Sequence, residues 1–408
     1  MPIKWKRSPR FKPSVILQKI DSVRTVNPQG GASFSGFELE DCLPALESML
    51  EFPAVAAEVD ASTLVWRGPA KVGKDLTPGS FLAAVNKELS DRLATKEQAY
   101  TLLTAISLRS QDVPKRLVIT GTEVRVLSGT YPARFRRSRD TLLREHRVPT
   151  PPTPAHYSRV IVKVKAKSPT AAVNKGLRAL DIQRALWCLM GNPRMQLAFG
   201  RSPFSPINVV RLGSQHTLHL PTGEAATDGA WFEPAFSEAA LFRIDKPDIV
   251  KKNSRWALRQ IISSPYKDRL VASLVRFVRA LDERDPSVAF LRLWGALEAL
   301  TTPDQADYEK VVQRCSFLFK DAAFHRQLLE HLREYRNTSL HAGEESESTR
   351  THCFQLQLYF VNLIWFYVRN ARYFRSLDEA NSFLDSPADL IDLKRRLQLA
   401  HKAVRFGA

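Results

Sequence analysis

The chain has 408 residues, 44% of them apolar, which is enough for about two to three ordinary domains with at least one sizeable core and excludes a disordered tail. Its 60 Lys and Arg outnumber 42 Asp and Glu, giving a formal net charge of +18 that points to a polyanionic partner and disfavours an acidic small-molecule enzyme. Cys42, Cys188, Cys315 and Cys353 lie far apart without a Cys-x-x-Cys pair, and no secretory signal precedes the first apolar run, so a reducing, cytoplasmic location is expected.

The basic excess is concentrated. Residues 101–200 carry 18 basic and 5 acidic side chains. This stretch opens with a β-hairpin pattern, Leu117–Thr120 and Val124–Leu127, followed by Arg134, Arg136, Arg137 and Arg139 leading into a helix. The prolines of 149–154 cannot continue a helix or a central strand and mark a hinge. Arg159 to Lys167 then alternates. Val160, Val162, Val164 and Ala166 share one face, while Arg159, Ile161, Lys163, Lys165 and Lys167 share the other, as in a half-buried strand with a basic outer side. Ser168-Pro169 caps a helix to about Leu189, and short strands are expected at Ile207–Leu212 and Thr217–Leu220.

From about residue 250 strand signals give way to amphipathic helices, read at Lys267–Asp282, Ser287–Thr301, Tyr308–Phe319, Ala322 to about Arg336, Thr349–Phe374 and Pro387–Ala403. Arg269, Arg276 and Arg279 recur along one side of the first. The longest apolar run, Leu356–Val368, spans 13 residues and includes Asn362, too short for a bilayer, so no membrane association is expected. The expected fold class is α+β. Residues 1–246 form a mixed α/β, basic, sensor or RNA-binding region, divided near 149–154, and residues 247–408 form an all-α helical bundle.

The segment Arg336-Asn337-Thr338-Ser339-Leu340-His341-Ala342-Gly343 offers the residue types that metal-free RNA cleavage needs. Histidine exchanges protons near neutrality, and a guanidinium stays charged and donates a fork to phosphate. On a continuous helix the five-residue offset would set Arg336 and His341 about 140° apart, so convergence requires a helix end or a groove between two chains. A simpler reading makes His341 and Gly343 ordinary C-terminal capping residues. Asn337 holds the histidine or a phosphate, or merely ends the helix. Tyr335 is read as core.

This Arg-polar-His segment, together with the upstream Leu293-Trp294-Gly295-Ala296-Leu297-Glu298-Ala299-Leu300, resembles the HEPN ribonucleases, in particular their Apea-like branch, over about residues 265–405. The resemblance implies a catalytic, dimerising bundle with Arg336, His341, Asn337 and Glu298 at its site. A carboxylate on so apolar a helix is costly without a partner, so Glu298 either orients Arg336 or is a surface residue at the helix edge. The resemblance further implies a homodimer that cleaves RNA, tRNA among the candidates, as a prokaryotic toxin or antiviral effector answering to a phage-derived trigger or inhibitor. No cofactor and no metal are expected. Arg134, Arg136, Arg137, Arg159, Lys163, Lys165, Lys167, Arg276 and Arg279 are the expected nucleic-acid contacts. Two other readings stand beside it: a non-catalytic RNA-binding or scaffold protein of the same type, and a DNA-binding regulator using Arg134–Arg139, the latter weakened by the lack of a helix-turn-helix pattern.

Overall fold

The computed structural model describes the chain apart from residues 1, 28–30, 74, 146–150, 197–204, 235, 306, 343–347, 388 and 408, and apart from the side chains of residues 57 and 339–342. Pro149 and Thr150 of the expected hinge, and Gly343, therefore lie outside the described residues. The N-terminal stretch forms β1 (Lys4–Trp5), α1 (Pro13–Ser22), β2 (Arg24–Val26), β3 (Ala32–Phe34), α2 (Glu38–Met49), β4 (Leu50–Glu51), α3 (Ala61–Lys71) and α4 (Pro78–Ala94). These elements bury their own core, in which Leu17, Ile20, Leu46, Leu64, Phe81 and Val85 meet.

Next come β5 (Gln98–Ile106), β6 (Arg116–Ile119), β7 (Thr122–Val126), α5 (Ala133–Glu145), β8 (Ser158–Ala166), α6 (Pro169–Gly191), β9 (Gln215–His219) and β10 (Trp231–Phe232). The strands form one antiparallel sheet of six, in the order β10-β9-β5-β8-β7-β6. Its longest pairing sets Gln98 opposite Ala166 and Ile106 opposite Ser158. The β6–β7 hairpin turns through Thr120 (φ 46°) and Gly121 (φ 81°), the left-handed pair that a two-residue hairpin requires.

The region around Ile207–Leu212 is not a strand. Leu212 makes a single bridge to Ile106, and Asn208 uses its amide on the Val278 carbonyl (2.6 Å) and Asp282 (2.8 Å). The alternation read in β8 is present, with Val160, Val162, Val164 and Ala166 buried against α6. Its other face is only partly open, because Ile161 is covered by Tyr131 and Phe135 at the start of α5.

The C-terminal region is all-helical: α7 (Pro247–Ser263), α8 (Lys267–Leu281), α9 (Pro286–Thr301), α10 (Tyr308–Ser316), α11 (Ala322–Ala342), α12 (Thr349–Arg369), α13 (Leu377–Leu384) and α14 (Leu390–Gly407). The fold is thus a mixed α/β N-terminal region with a six-stranded antiparallel sheet, followed by an all-helical C-terminal region. Helices α7 and α13 were not anticipated, and α11 runs six residues past the expected end near Arg336. No helix among the described residues is long and apolar enough to cross a membrane.

Helix α6 joins the two regions. It is buried nearly all round, packing on β5 to β8 on one side and on α7 and α8 on the other. Gly176 permits the close approach to the sheet, since a Cβ there would lie 2.9 Å from Leu102 and 3.2 Å from Val164. A single apolar core therefore extends from β5 through α6 to α12. Between α6 and α8 the fully buried Arg184 bonds Asp181 (2.9 Å) and Asp282 (2.7 Å), and Arg279 bonds Asp181 and Glu233, both at 2.6 Å. In α12 the apolar run is absorbed internally: Phe360 stacks on Phe277 at 4.4 Å, and Tyr367 donates its hydroxyl proton to Asn381 at 2.6 Å.

Candidate active site

Helix α11 continues without a break through Arg336 to Ala342. Asn337, Thr338 and Ser339 are residue types that often stop a helix, because their side chains compete for backbone partners. Here the Thr338 hydroxyl satisfies itself on the helix's own carbonyls, those of Glu334 and Tyr335, both at 3.1 Å. Consequently the positions of Arg336 and His341 are separated by about 7.5 Å along the axis and about 140° around it. The side chain of His341 lies outside the described residues, and its backbone is the penultimate position of α11.

Arg336 is half-buried and lies with its guanidinium carbon 4.5 Å from the centre of the Tyr308 ring, at the first position of α10. The Tyr308 ring meets Trp294 of α9 edge-on at 6.3 Å. The Trp294 indole in turn donates to Glu298 at 2.9 Å, one turn further along α9. Glu298 therefore does not pair with Arg336 directly. The two are linked through an indole and a phenol, so the carboxylate fixes the platform rather than the guanidinium. Asn337 is half-buried, and its carbonyl oxygen is 3.5 Å from an Arg336 nitrogen, at the outer limit of a hydrogen bond. Tyr308 was not singled out in the sequence. It lies 28 residues before Arg336 on another helix, and no local pattern announces the contact.

A second polar cluster occupies the α11–α12 contact. His331 and His352 approach through their Nε2 atoms at 3.2 Å, Tyr335 meets His352 edge-on at 4.5 Å and Phe290 at 5.0 Å, and the Tyr335 hydroxyl bonds Thr349. Burial, reinforced by His331, holds the His352 imidazole down to about 4. Among the described residues no three His, Cys, Asp or Glu side chains come together as a metal-holding set.

The expected nucleic-acid contacts divide into engaged and open groups. Arg279 is committed to Asp181 and Glu233, Arg159 donates to the carbonyls of Pro154 (3.1 Å) and Tyr157 (3.4 Å), and Lys167 reaches the Leu93 carbonyl and Glu58. Lys163 is exposed but pairs with Glu123 at 3.1 Å, which Lys163, Arg125 and Arg116 together hold down to about 2 against its burial. Arg276 is exposed and donates weakly to the Gly295 carbonyl at 3.4 Å. On α5, Arg139 turns inward to Thr217, whereas Arg134, Arg136 and Arg137 are exposed, Arg136 also donating to the Thr130 hydroxyl (3.2 Å) and the Tyr131 carbonyl (3.3 Å). Arg136 and Arg137, with Ala133, Asp140 and Arg144, line a surface cavity of about 300 Å³. Its lining thus sets three guanidiniums against one carboxylate. Lys165 is exposed beside this surface's sheet. No protein-family model, curated protein or solved structure matches the chain.

Proposed function

We propose that the chain is a metal-independent endoribonuclease that attacks RNA through the ribose 2′-hydroxyl with Arg336 and His341, serving as a prokaryotic toxin or antiviral defence effector. One observation carries the reading: a half-buried guanidinium held 4.5 Å over the Tyr308 ring, on a helix that continues to His341. Held over the ring, the guanidinium stays charged and can donate N–H groups to phosphate oxygens, where negative charge builds in the transition state. In the reaction one histidine takes the 2′-hydroxyl proton, O2′ bonds to phosphorus, and the P–O5′ bond breaks as a second acid protonates O5′. The products are a 2′,3′-cyclic phosphate and a 5′-hydroxyl. A single straight helix cannot bring its own Arg336 and His341 to one phosphate, which supports a site completed by a second copy.

Replacing Arg336 or His341 with Ala is expected to abolish cleavage with little change in thermal stability, while the wild type remains active in EDTA. Full activity of His341→Ala, or a requirement for added Mg²⁺, would overturn the proposal. Mixed dimers of Arg336→Ala and His341→Ala chains are expected to regain part of the activity. A non-catalytic RNA-binding role is favoured by the arginine-lined cavity on α5, which binds without chemistry. A wild type that binds RNA yet leaves its ends intact would select that reading.

A further inference from the structure

The contacts His325 to Tyr359, His331 to His352 and Tyr335 to Thr349 set α11 and α12 side by side in opposite directions. Two distances define the middle one. The Nε2 atoms of His331 and His352 are 3.2 Å apart, and their ring centres 5.0 Å. A straight N–H···N hydrogen bond of that length would hold the ring centres about 5.5 Å apart, because each nitrogen lies about 1.15 Å from the centre of its ring. The rings are closer, so the nitrogens do not point straight at each other. Two imidazoles aimed at one cation satisfy both distances. At a metal–nitrogen length of about 2.05 Å, nitrogens 3.2 Å apart subtend about 103° at the metal, near the tetrahedral angle, and place the ring centres about 5.0 Å apart.

We propose that His331 and His352 form a binding site for a divalent transition cation of the zinc class, each giving its Nε2. Imidazole nitrogen selects Zn²⁺ and its neighbours over Mg²⁺ and Ca²⁺, which take oxygen ligands. Burial holds the His352 imidazole down to about 4, so its nitrogen is unprotonated at neutral pH, and the exposed His331 opens the pair to solvent. Two protein ligands are fewer than the three or four that hold a resident zinc. Water therefore completes the coordination, and the cation exchanges with the medium. The pair lies one turn before Tyr335 and five residues before Arg336, so a bound cation ties the helix that carries Arg336 to α12. It takes no part in the RNA chemistry proposed above. The inference stands apart from that reading, because its test reads metal binding and not cleavage.

Calorimetric titration of the metal-stripped full chain with ZnCl₂ is expected to show one site per chain that MgCl₂ does not fill. His331→Ala, at an exposed position, should fold as the wild type does and weaken zinc binding at least about ten-fold, as should His352→Phe. His156→Ala, outside the pair, should leave it unchanged. Saturating zinc should raise the melting temperature of the wild type and not that of His331→Ala. X-ray absorption of the one-to-one complex should find two imidazole nitrogens at about 2.0 Å, with oxygen in the remaining positions. Zinc binding undiminished in His331→Ala, a site filled equally by Mg²⁺, or a wild type that takes up no zinc at sub-millimolar metal would each overturn the proposal. The last result would leave the two histidines as a bent hydrogen-bonded pair only.

Discussion

A histidine pair inside a helix contact has a proton balance that stability can report. His352 is buried, its Nδ1 has no hydrogen-bond partner among the described residues, and its Nε2 faces that of His331 at 3.2 Å. Both burial and the neighbouring imidazole disfavour its cation, so its value lies near 4, against about 6.5 in an unfolded chain. His219, buried under α5, is likewise held down to about 4. A group whose folded value is depressed takes up its proton first in the unfolded state. Its stabilisation is therefore complete above about pH 6.5 and is lost as the pH falls towards 4. Melting temperature is expected to decline across this window, and His352→Phe, which fills the same space beside Phe290, should flatten part of the decline. Carboxylates contribute little there, because Glu123 and Glu233 are held near 2 and lose their share only at lower pH. A slope between pH 6.5 and 5 that His352→Phe leaves unchanged would remove the pair from this account.

At the scale of elements, the exposed guanidiniums gather on α5, whereas on β8 only Lys165 is exposed without an ion pair among the described residues. Lys163 answers Glu123, and Lys167 holds the N-terminal unit at Leu93, so neutralising them would disturb packing as well as charge. Arg136, Arg137 and Arg144 lie together around one cavity and are changed together to Gln, with a melting curve to control for the bonds of Arg136 to Tyr131 and of Arg144 to Asp140. If they contact phosphates, that variant should bind single-stranded RNA more weakly and lower the slope of log affinity against log salt by roughly 0.7 per lost contact. Anisotropy titrations between about 50 and 200 mM salt measure this, and an unchanged slope would move the binding surface elsewhere. The hairpin, β8 and α6 were legible in the sequence because period and caps agree there. Strand β5 was not, since Tyr100 to Ile106 is buried on both faces and shows no alternation. The end of α11 was misread because Asn-Thr-Ser resembles a stop, whereas Thr338 bonds back into the helix. Of the candidate site, Arg336 and His341 could be named from residue type and order, but the Tyr308 platform arises only when α10 is brought against α11. Glu298 was expected to meet Arg336 and instead bonds Trp294, the nearer donor on its own helix.

Over the whole molecule, apolar packing and secondary structure divide the chain at different places. The all-helical region begins at Pro247, yet one core crosses that point, while the core of α1 to α4 is separate. A fragment of residues 96–408 is expected to melt in one cooperative transition. A fragment of residues 247–408 should not, because Arg279 and Asp282 lose Asp181, Glu233 and Arg184, leaving half-buried charges unpaired, and α8 loses α6. Sharp calorimetric melting of the shorter fragment would contradict this. The same continuity limits how the gene can be recombined. A crossover near codon 246 would hand a recipient protein a bundle with an open apolar flank and stranded charges, whereas one near codon 95 transfers sheet, α6 and bundle as a heritable whole. An exchanged N-terminal unit is therefore expected to leave the remaining core intact, whereas a change in the sheet or the bundle at α6 calls for a compensating change across that helix.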